Sequence, residues 1–230
     1  MHHHTCCREA FLLDSPLLTF GLYAITDPTL LPGKSLLPGV ESALRGGCRL
    51  IQYRDKTASE TELLKSALSL KDLCLDYQAR LIINDDLDLC LRVKADGVHL
   101  GKTDGNIIAA RKRLGAEKIL GVTCHSDLDY AQQSIIQGVD YCAFGRIFTS
   151  KTKPNAPRCS SETLTEASNL DIPVVAIGGV TVENAHTLVA TKIHNIAVIH
   201  GLFGQTDIEA SARVFSSLFT HSNFKHLNTV

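Results

Sequence analysis

The sequence predicts an α/β fold, a single (β/α)₈ TIM barrel. Eight short apolar or β-branched runs alternate with longer amphipathic stretches, and no Pro/Ser/Gly-rich linker divides the 230 residues. Such alternation implies parallel strands joined by right-handed crossovers. Eight units in about 200 residues match the small end of the barrel range, whereas an open doubly wound sheet rarely needs eight strands.

The predicted strands are short and the segments between them have helical character. The strands are expected at 22–26, 50–54, 81–84, 97–100, 119–123, 141–145, 173–177 and 196–199. Helices are clearest at 59–79, 126–137, 160–169, 181–190 and 207–219. Ser126 and Thr181 are expected to cap the second and fourth of these helices at their N-termini.

The domain boundaries follow from where the alternating pattern begins and ends. We expect a flexible N-terminal extension over 1–15, a barrel catalytic domain over 16–222 and a C-terminal tail over 223–230. The first residues lack the basic-then-apolar order of a signal peptide. No apolar run approaches the roughly 20 residues needed to span a bilayer.

Charge and cysteine usage exclude several classes of function. Lys and Arg total 23 against 24 for Asp and Glu, a net charge of −1, which argues against nucleic-acid and membrane partners. The eight cysteines include no C-x-x-C pair and mostly lie in apolar segments, as free core thiols do. We therefore expect a reduced, cytoplasmic protein that acts on small molecules, and leave homo-oligomer formation open.

Polar residues at the end of the second strand predict an anion site. In a barrel, chemistry lies at the C-terminal ends of the strands. Alternation directs Gln52, Arg54 and Lys56 to one side, where two cations suit phosphate oxygens. The alternative is a solvated turn in which Arg54 pairs with Asp55.

Carboxylates after the third and fourth strands predict a metal site. Asp85 and Asp104 follow neighbouring strands, so they can meet above the barrel. Two carboxylates beside phosphate-binding cations form a hard oxygen site that suits Mg²⁺. The alternative is that each aspartate only caps the helix that follows it.

The loops after the sixth and seventh strands predict a second anion site. The loop over 145–154 offers hydroxyls at Thr149, Ser150 and Thr152, and the seventh strand ends in Gly178-Gly179. Glycine allows close backbone approach there, and the loops after strands seven and eight of barrels frequently hold a phosphate. Two separate anion regions suggest two phosphorylated substrates. His99, within an apolar strand, is expected to be a hydrogen-bonded core histidine.

An ordered set of short motifs on successive strand ends resembles the thiamine phosphate synthase (thiamine-phosphate pyrophosphorylase) family. The resemblance runs from Tyr23 to the last helix. The motifs are Tyr23-x-Ile-Thr-Asp27, Gln52-x-Arg-x-Lys56, Asn84-Asp85, Asp96-Gly-Val-His-Leu-Gly-x-x-Asp104, Gly121-Val-Thr-x-His125, Ser150-x-Thr-Lys153 and Ile177-Gly-Gly179. The family's (β/α)₈ fold agrees with the fold predicted from the alternation.

The resemblance implies an enzyme that joins hydroxymethylpyrimidine diphosphate to a thiazole phosphate, releasing diphosphate and forming thiamine phosphate. Catalysis would fall to Arg54, Lys56, Thr123 and Lys153, and Mg²⁺ would be held by Asp85 and Asp104. The pyrimidine diphosphate would be bound by Gln52, Arg54, Lys56, Asn84, Thr123 and Lys153. The thiazole phosphate would be bound by Ser150, Thr152, Gly179, Ile199 and His200.

The chain departs from the family pattern at four positions. Thr123 replaces a serine and Ser150 replaces a common threonine, and both keep the hydroxyl. Arg146 replaces the usual proline after the glycine of the sixth strand, and His200 replaces the usual serine at the last strand end. A histidine can still donate to a phosphate at that position.

Two other functions stay open at this point. A thiazole tautomerase of the same fold would use His125 as an acid or base, but it would not need the diphosphate and metal residues. A non-catalytic barrel that binds thiamine or phosphate would bind product without turnover.

Overall fold

A computed structural model of the chain describes residues 21–149, 157–191 and 193–219. Eight parallel strands close into a barrel in chain order, and β1 pairs with β8 with Tyr23 opposite Ala197. The strands are β1 (Leu22–Ile25), β2 (Leu50–Tyr53), β3 (Arg80–Asn84), β4 (Gly97–Leu100), β5 (Ile119–His125), β6 (Tyr141–Phe144), β7 (Val174–Ile177) and β8 (Asn195–Val198). The predicted (β/α)₈ barrel is confirmed.

A helix follows each strand, and two helices, α8 and α9, follow β8. They are α1 (Leu36–Arg45), α2 (Glu60–Asp76), α3 (Leu87–Arg92), α4 (Ile107–Leu114), α5 (Leu128–Ile136), α6 (Ser161–Ala167), α7 (Ala185–Val189), α8 (His200–Phe203) and α9 (Ile208–Ser217), with a 3₁₀ turn at Gly33–Ser35. The five predicted helices are present, each shorter than its pattern by a few residues. None of the helices over the described ranges is long and apolar enough to cross a bilayer.

Both predicted helix caps were wrong. Asp127, not Ser126, caps α5, because its carboxylate accepts from the Tyr130 N–H at 2.9 Å. Helix α7 begins only at Ala185, because the Asn184 side chain bonds Thr181 N at 2.9 Å and closes a turn where the helix was expected to start. In each case the backbone N–H group near the helix start is bonded by a side chain that lies after the predicted cap residue: Asp127 instead of Ser126, and Asn184 instead of Thr181.

The core has two layers that follow from strand alternation. Residues directed into the barrel include Tyr23, Leu50 and Tyr141, while residues directed outward pack beneath the helices in a larger cluster. Cys124 is buried in the outer layer, so it does not share a face with its neighbour Thr123 at the barrel mouth. The same alternation turns Gln52 inward and Tyr53 outward, so the polar ends of the strands lie above the inward-facing layer of the core.

Candidate active site

The C-terminal ends of the strands open into one cavity of about 540 Å³. Every predicted site residue that the structure describes lines this cavity: Gln52, Arg54, Lys56, Asn84, Asp85, Asp104, Thr123, Gly179, Ile199 and His200. Ser150, Thr152 and Lys153 lie outside the described residues. The predicted residues thus share one face of the barrel, while their individual roles remain predictions.

Arg54 is oriented by β1 rather than by its own turn. Its guanidinium lies 3.8 Å from the Asp27 carboxylate, and both side chains are mostly buried. The Asp55 carboxylate accepts instead from Thr57 and from Ala58 N within its turn. The alternative pairing of Arg54 with Asp55 is therefore not the arrangement observed.

Asp85 and Asp104 both line the mouth of the barrel, close enough for each carboxylate to shift the pKa of the other. Lys56 Nζ lies 3.0 Å from Asp85 Oδ2, and Asn84 Nδ2 donates to the same oxygen at 2.6 Å. Neither aspartate is a helix cap: Asp86 caps α3 and Asn106 caps α4. The alternative cap assignments were wrong, because the residue that caps each helix lies one or two positions further along.

Each of the two carboxylates shifts the pKa of the other, and the two shifts have opposite signs. Burial alone would raise the pKa of Asp85, but the bonds from Lys56 and Asp104 lower it below its usual range. Burial, the hydrogen bond to Asp85 and its charge raise the pKa of Asp104. Asp85 also adopts a left-handed backbone (φ 62°), which is uncommon for a residue other than glycine and clusters at functional sites.

The acid pair suits a divalent cation. Two hard oxygen ligands converge, and because burial and the neighbouring Asp85 raise the pKa of Asp104, added positive charge would stabilise the ionised pair. Across the ranges that can be described, no group of three or more His, Cys, Asp and Glu residues could hold a metal. The remaining ligands would have to be water and phosphate oxygens, which is the usual coordination of protein-bound Mg²⁺.

The opposite wall of the cavity is formed by the loops after β6, β7 and β8. Gly179 has φ 66°, and a Cβ atom there would collide with the backbone of Phe148 and Thr149. Only glycine permits this contact between the two loops. Arg146 and His200, two of the positions that depart from the family pattern, also line this wall.

Sequence reasoning missed the polar residues on the cavity floor. Tyr23 and Tyr141 are buried inside the barrel and hydrogen-bond each other through their hydroxyls at 2.9 Å. His99 is buried with both ring nitrogens bonded, as expected for a core histidine, yet its ring borders the cavity. The available signal was the polar end of each tyrosine and histidine at inward positions of apolar strands.

Comparison with known proteins agrees with this geometry. The sequence profile of the thiamine monophosphate synthase family (TMP-TENI) matches residues 22–202. The chain belongs to this family. A thiamine-phosphate synthase of Alcanivorax borkumensis is 54% identical over 203 residues, covering 86% of this chain and 94% of that protein. One from Nitrosococcus oceani is 48% identical, covering 88% and 94%.

Among solved structures, a thiamine phosphate pyrophosphorylase from Pyrococcus furiosus superposes with a TM-score of 0.80 at 31% identity. The superposition covers 88% of this chain and 96% of that one. The resemblance drawn from the strand-end motifs is confirmed. Membership of the thiamine monophosphate synthase family places the chain among transferases of thiamine biosynthesis.

Proposed function

We propose that this chain couples hydroxymethylpyrimidine diphosphate to a thiazole phosphate, giving thiamine phosphate and diphosphate with the aid of Mg²⁺. The observation that carries this proposal is the acid pair of Asp85 and Asp104 beside Lys56, with Arg54 in the same cavity. These groups combine metal ligands with phosphate-binding cations, and a reaction that expels diphosphate needs both.

The proposed chemistry requires charge stabilisation more than proton transfer. The carbon–oxygen bond to diphosphate breaks, the thiazole nitrogen supplies the electron pair for the new carbon–nitrogen bond, and diphosphate leaves with its negative charge. Arg54 and Lys56 would neutralise that charge and Asn84 would donate to it, while bound Mg²⁺ would add positive charge at the diphosphate oxygens. Gln52 and Thr123 would hold the pyrimidine, and the reaction needs no general base.

The second substrate would lie toward the β6–β8 loops. We propose that Gly179, Ile199 and His200 bind the thiazole phosphate together with Ser150 and Thr152, and that Lys153 assists the pyrimidine diphosphate. We also propose a cytoplasmic location, because the six cysteines at described positions are free, buried thiols. Homo-oligomer formation stays open.

A coupling assay tests the function. Purified protein with both substrates and Mg²⁺ should release one diphosphate for each thiamine phosphate formed. Exchange between thiazole tautomers without diphosphate release would identify a tautomerase acting through His125. Tight binding of thiamine phosphate with no turnover would identify a non-catalytic barrel.

A further inference from the structure

A continuous hydrogen-bond chain crosses the floor of the cavity from β2 to β5. Gln52 Nε2 lies 2.7 Å from the Tyr23 hydroxyl, which lies 2.9 Å from the Tyr141 hydroxyl. His99 bonds the Tyr141 hydroxyl through Nδ1 and the Thr123 hydroxyl through Nε2, each at 2.8 Å. Gln52 and Thr123, the two ends of this hydrogen-bond chain, are both predicted to bind the pyrimidine.

The absence of a side chain at one position of β5, Gly121, makes this hydrogen-bond chain possible. Gly121 lies between His99 on β4 and Tyr141 on β6 in the strand register. A Cβ atom on Gly121 would lie inside the Tyr141 ring, so glycine lets that ring lie across β5 and reach His99. The Tyr141 and His99 rings stack with centroids 5.5 Å apart, and the Tyr23 ring meets Tyr141 edge-on.

The number of hydrogens fixes the direction of the chain. Burial raises the pKa of Tyr23 and of Tyr141 above the usual range, so each hydroxyl stays protonated and supplies one hydrogen. Gln52 Nε2 donates to the Tyr23 hydroxyl, and among the described residues Tyr141 is the acceptor that the Tyr23 hydrogen reaches. Every hydrogen in the chain has an acceptor only when Tyr23 donates to Tyr141 and Tyr141 donates to His99 Nδ1. His99 then carries its hydrogen on Nε2 and donates it to Thr123.

We infer that Tyr23, Tyr141 and His99 are positioning residues that fix the hydrogen-bonding polarity of the substrate pocket. Because the Thr123 oxygen accepts a hydrogen bond from His99 Nε2, the Thr123 hydroxyl directs its own hydrogen to the cavity. Gln52, whose amide N–H is bonded to Tyr23, presents its carbonyl oxygen there. This pair accepts a ring that has an amino donor and a ring-nitrogen acceptor, and it disfavours the oxo analogue, in which a carbonyl replaces the amino group. The ligand class rests on the proposed function, because the pyrimidine of thiamine is such an aminopyrimidine.

The direction of the chain can be tested without any substrate. Long-range ¹H–¹⁵N spectra of the imidazoles, with His99 assigned from the His99→Gln variant or from the shift caused by Tyr141→Phe, should show His99 as the neutral Nε2–H tautomer. The Nδ1–H tautomer would overturn the inference, because Nδ1 would then donate to Tyr141 and the Thr123 hydroxyl would donate to His99 Nε2 instead of presenting its hydrogen to the cavity.

The consequence for recognition is tested with a matched pair of variants. Tyr141→Phe removes one link, whereas Tyr53→Phe removes a buried hydroxyl that faces away from the cavity. The wild type and Tyr53→Phe should bind the amino pyrimidine diphosphate at least about 30-fold more tightly than its oxo analogue, and Tyr141→Phe should reduce that ratio about tenfold. KM for the thiazole phosphate should not change.

The outcomes separate this inference from the proposed function. If Tyr141→Phe weakens both pyrimidines equally, or weakens neither, the residue has no role in setting polarity and the inference fails. If the wild type binds neither pyrimidine diphosphate, the proposed function fails, while the tautomer of His99 still decides the direction of the chain.

Discussion

The Thr26 hydroxyl bonds both backbone groups of Arg54. Its Oγ1 accepts from Arg54 N at 2.9 Å and donates to Arg54 O at 3.1 Å. The next residue, Asp27, faces the Arg54 guanidinium. The end of β1 thus fixes both the backbone and the side chain of the cation that follows β2.

Thr26→Val keeps the shape of the side chain but removes both bonds. We expect a loss of about 2 kcal/mol in the free energy of unfolding, since a buried donor and acceptor lose their partner. KM for the pyrimidine diphosphate should rise about tenfold as Arg54 loses its placement, with no change in KM for the thiazole phosphate. Thr26→Ser is the control, and an equal effect in Thr26→Ser would show that the hydroxyl does not matter.

Asp104→Ala tests the acid pair against a structural role. Asp104 is exposed and accepts one backbone hydrogen bond, from Gly101 N at 3.0 Å, so the thermal midpoint should barely change. Turnover should fall by about two to three orders of magnitude, because the proposed Mg²⁺ site would lose one of its two protein ligands. Normal turnover with a large drop in the thermal midpoint would mean that Asp104 serves only the fold.

Asp96 begins the motif that Asp104 ends, yet it lies at the opposite end of β4. Its carboxylate accepts from Lys71 Nζ and Leu81 N, each at 2.8 Å. Asp96→Asn should lower the free energy of unfolding by about 2–3 kcal/mol and leave kcat unchanged. Chemical denaturation with the exposed Asp72→Asn as a control checks this, and a selective loss of kcat in folded Asp96→Asn would refute it.

His194 should make the barrel less stable in mild acid. Burial lowers its pKa, and its Nδ1 accepts from Val174 N at 3.1 Å, so the folded state favours the neutral ring. The unfolded chain binds a proton below about pH 6.5. Stability should therefore fall as the pH drops below that value, by up to about 1.4 kcal/mol per pH unit, until the folded pKa is reached.

His194→Gln is the test of that pH dependence. Glutamine has an amide oxygen that can accept from the same backbone N–H but has no titratable ring. Denaturation at pH 7.5 and pH 5.5 should give a smaller difference for this variant than for the wild type. Identical pH profiles would show that another group carries the acid sensitivity.

The fold and the residues that line the cavity could be predicted, because both follow from local sequence patterns. Strand alternation alone directs Gln52, Arg54 and Lys56 to one face, and parallel closure brings the ends of β3 and β4 together with them. Contacts between distant segments could not be predicted. Whether Arg54 pairs with Asp55 or Asp27 depends on β1 lying beside β2, which is a result of barrel closure.

The polar chain on the cavity floor shows the same limit. Tyr23, His99 and Tyr141 lie on three different strands, so their bonds depend on register and on the gap at Gly121. Helix starts were mispredicted for a related reason. Ser126 and Thr181 are acceptable caps by residue type, and only the backbone geometry decides that Asp127 and Asn184 occupy the cap positions instead.

We propose that Asp85 and Asp104 act as one unit, through Mg²⁺, on a departing diphosphate. A double-mutant cycle of Asp85→Asn, Asp104→Asn and their combination, measured as Mg²⁺-dependent kcat/KM for diphosphate release, shows whether the two carboxylates depend on each other. We expect each single variant to lose about two to three orders of magnitude in kcat/KM. The double variant should be no less active than the less active of the two single variants. Losses that multiply in the double variant, or full activity in the wild type after Mg²⁺ is removed, would mean that the two carboxylates do not act together through Mg²⁺.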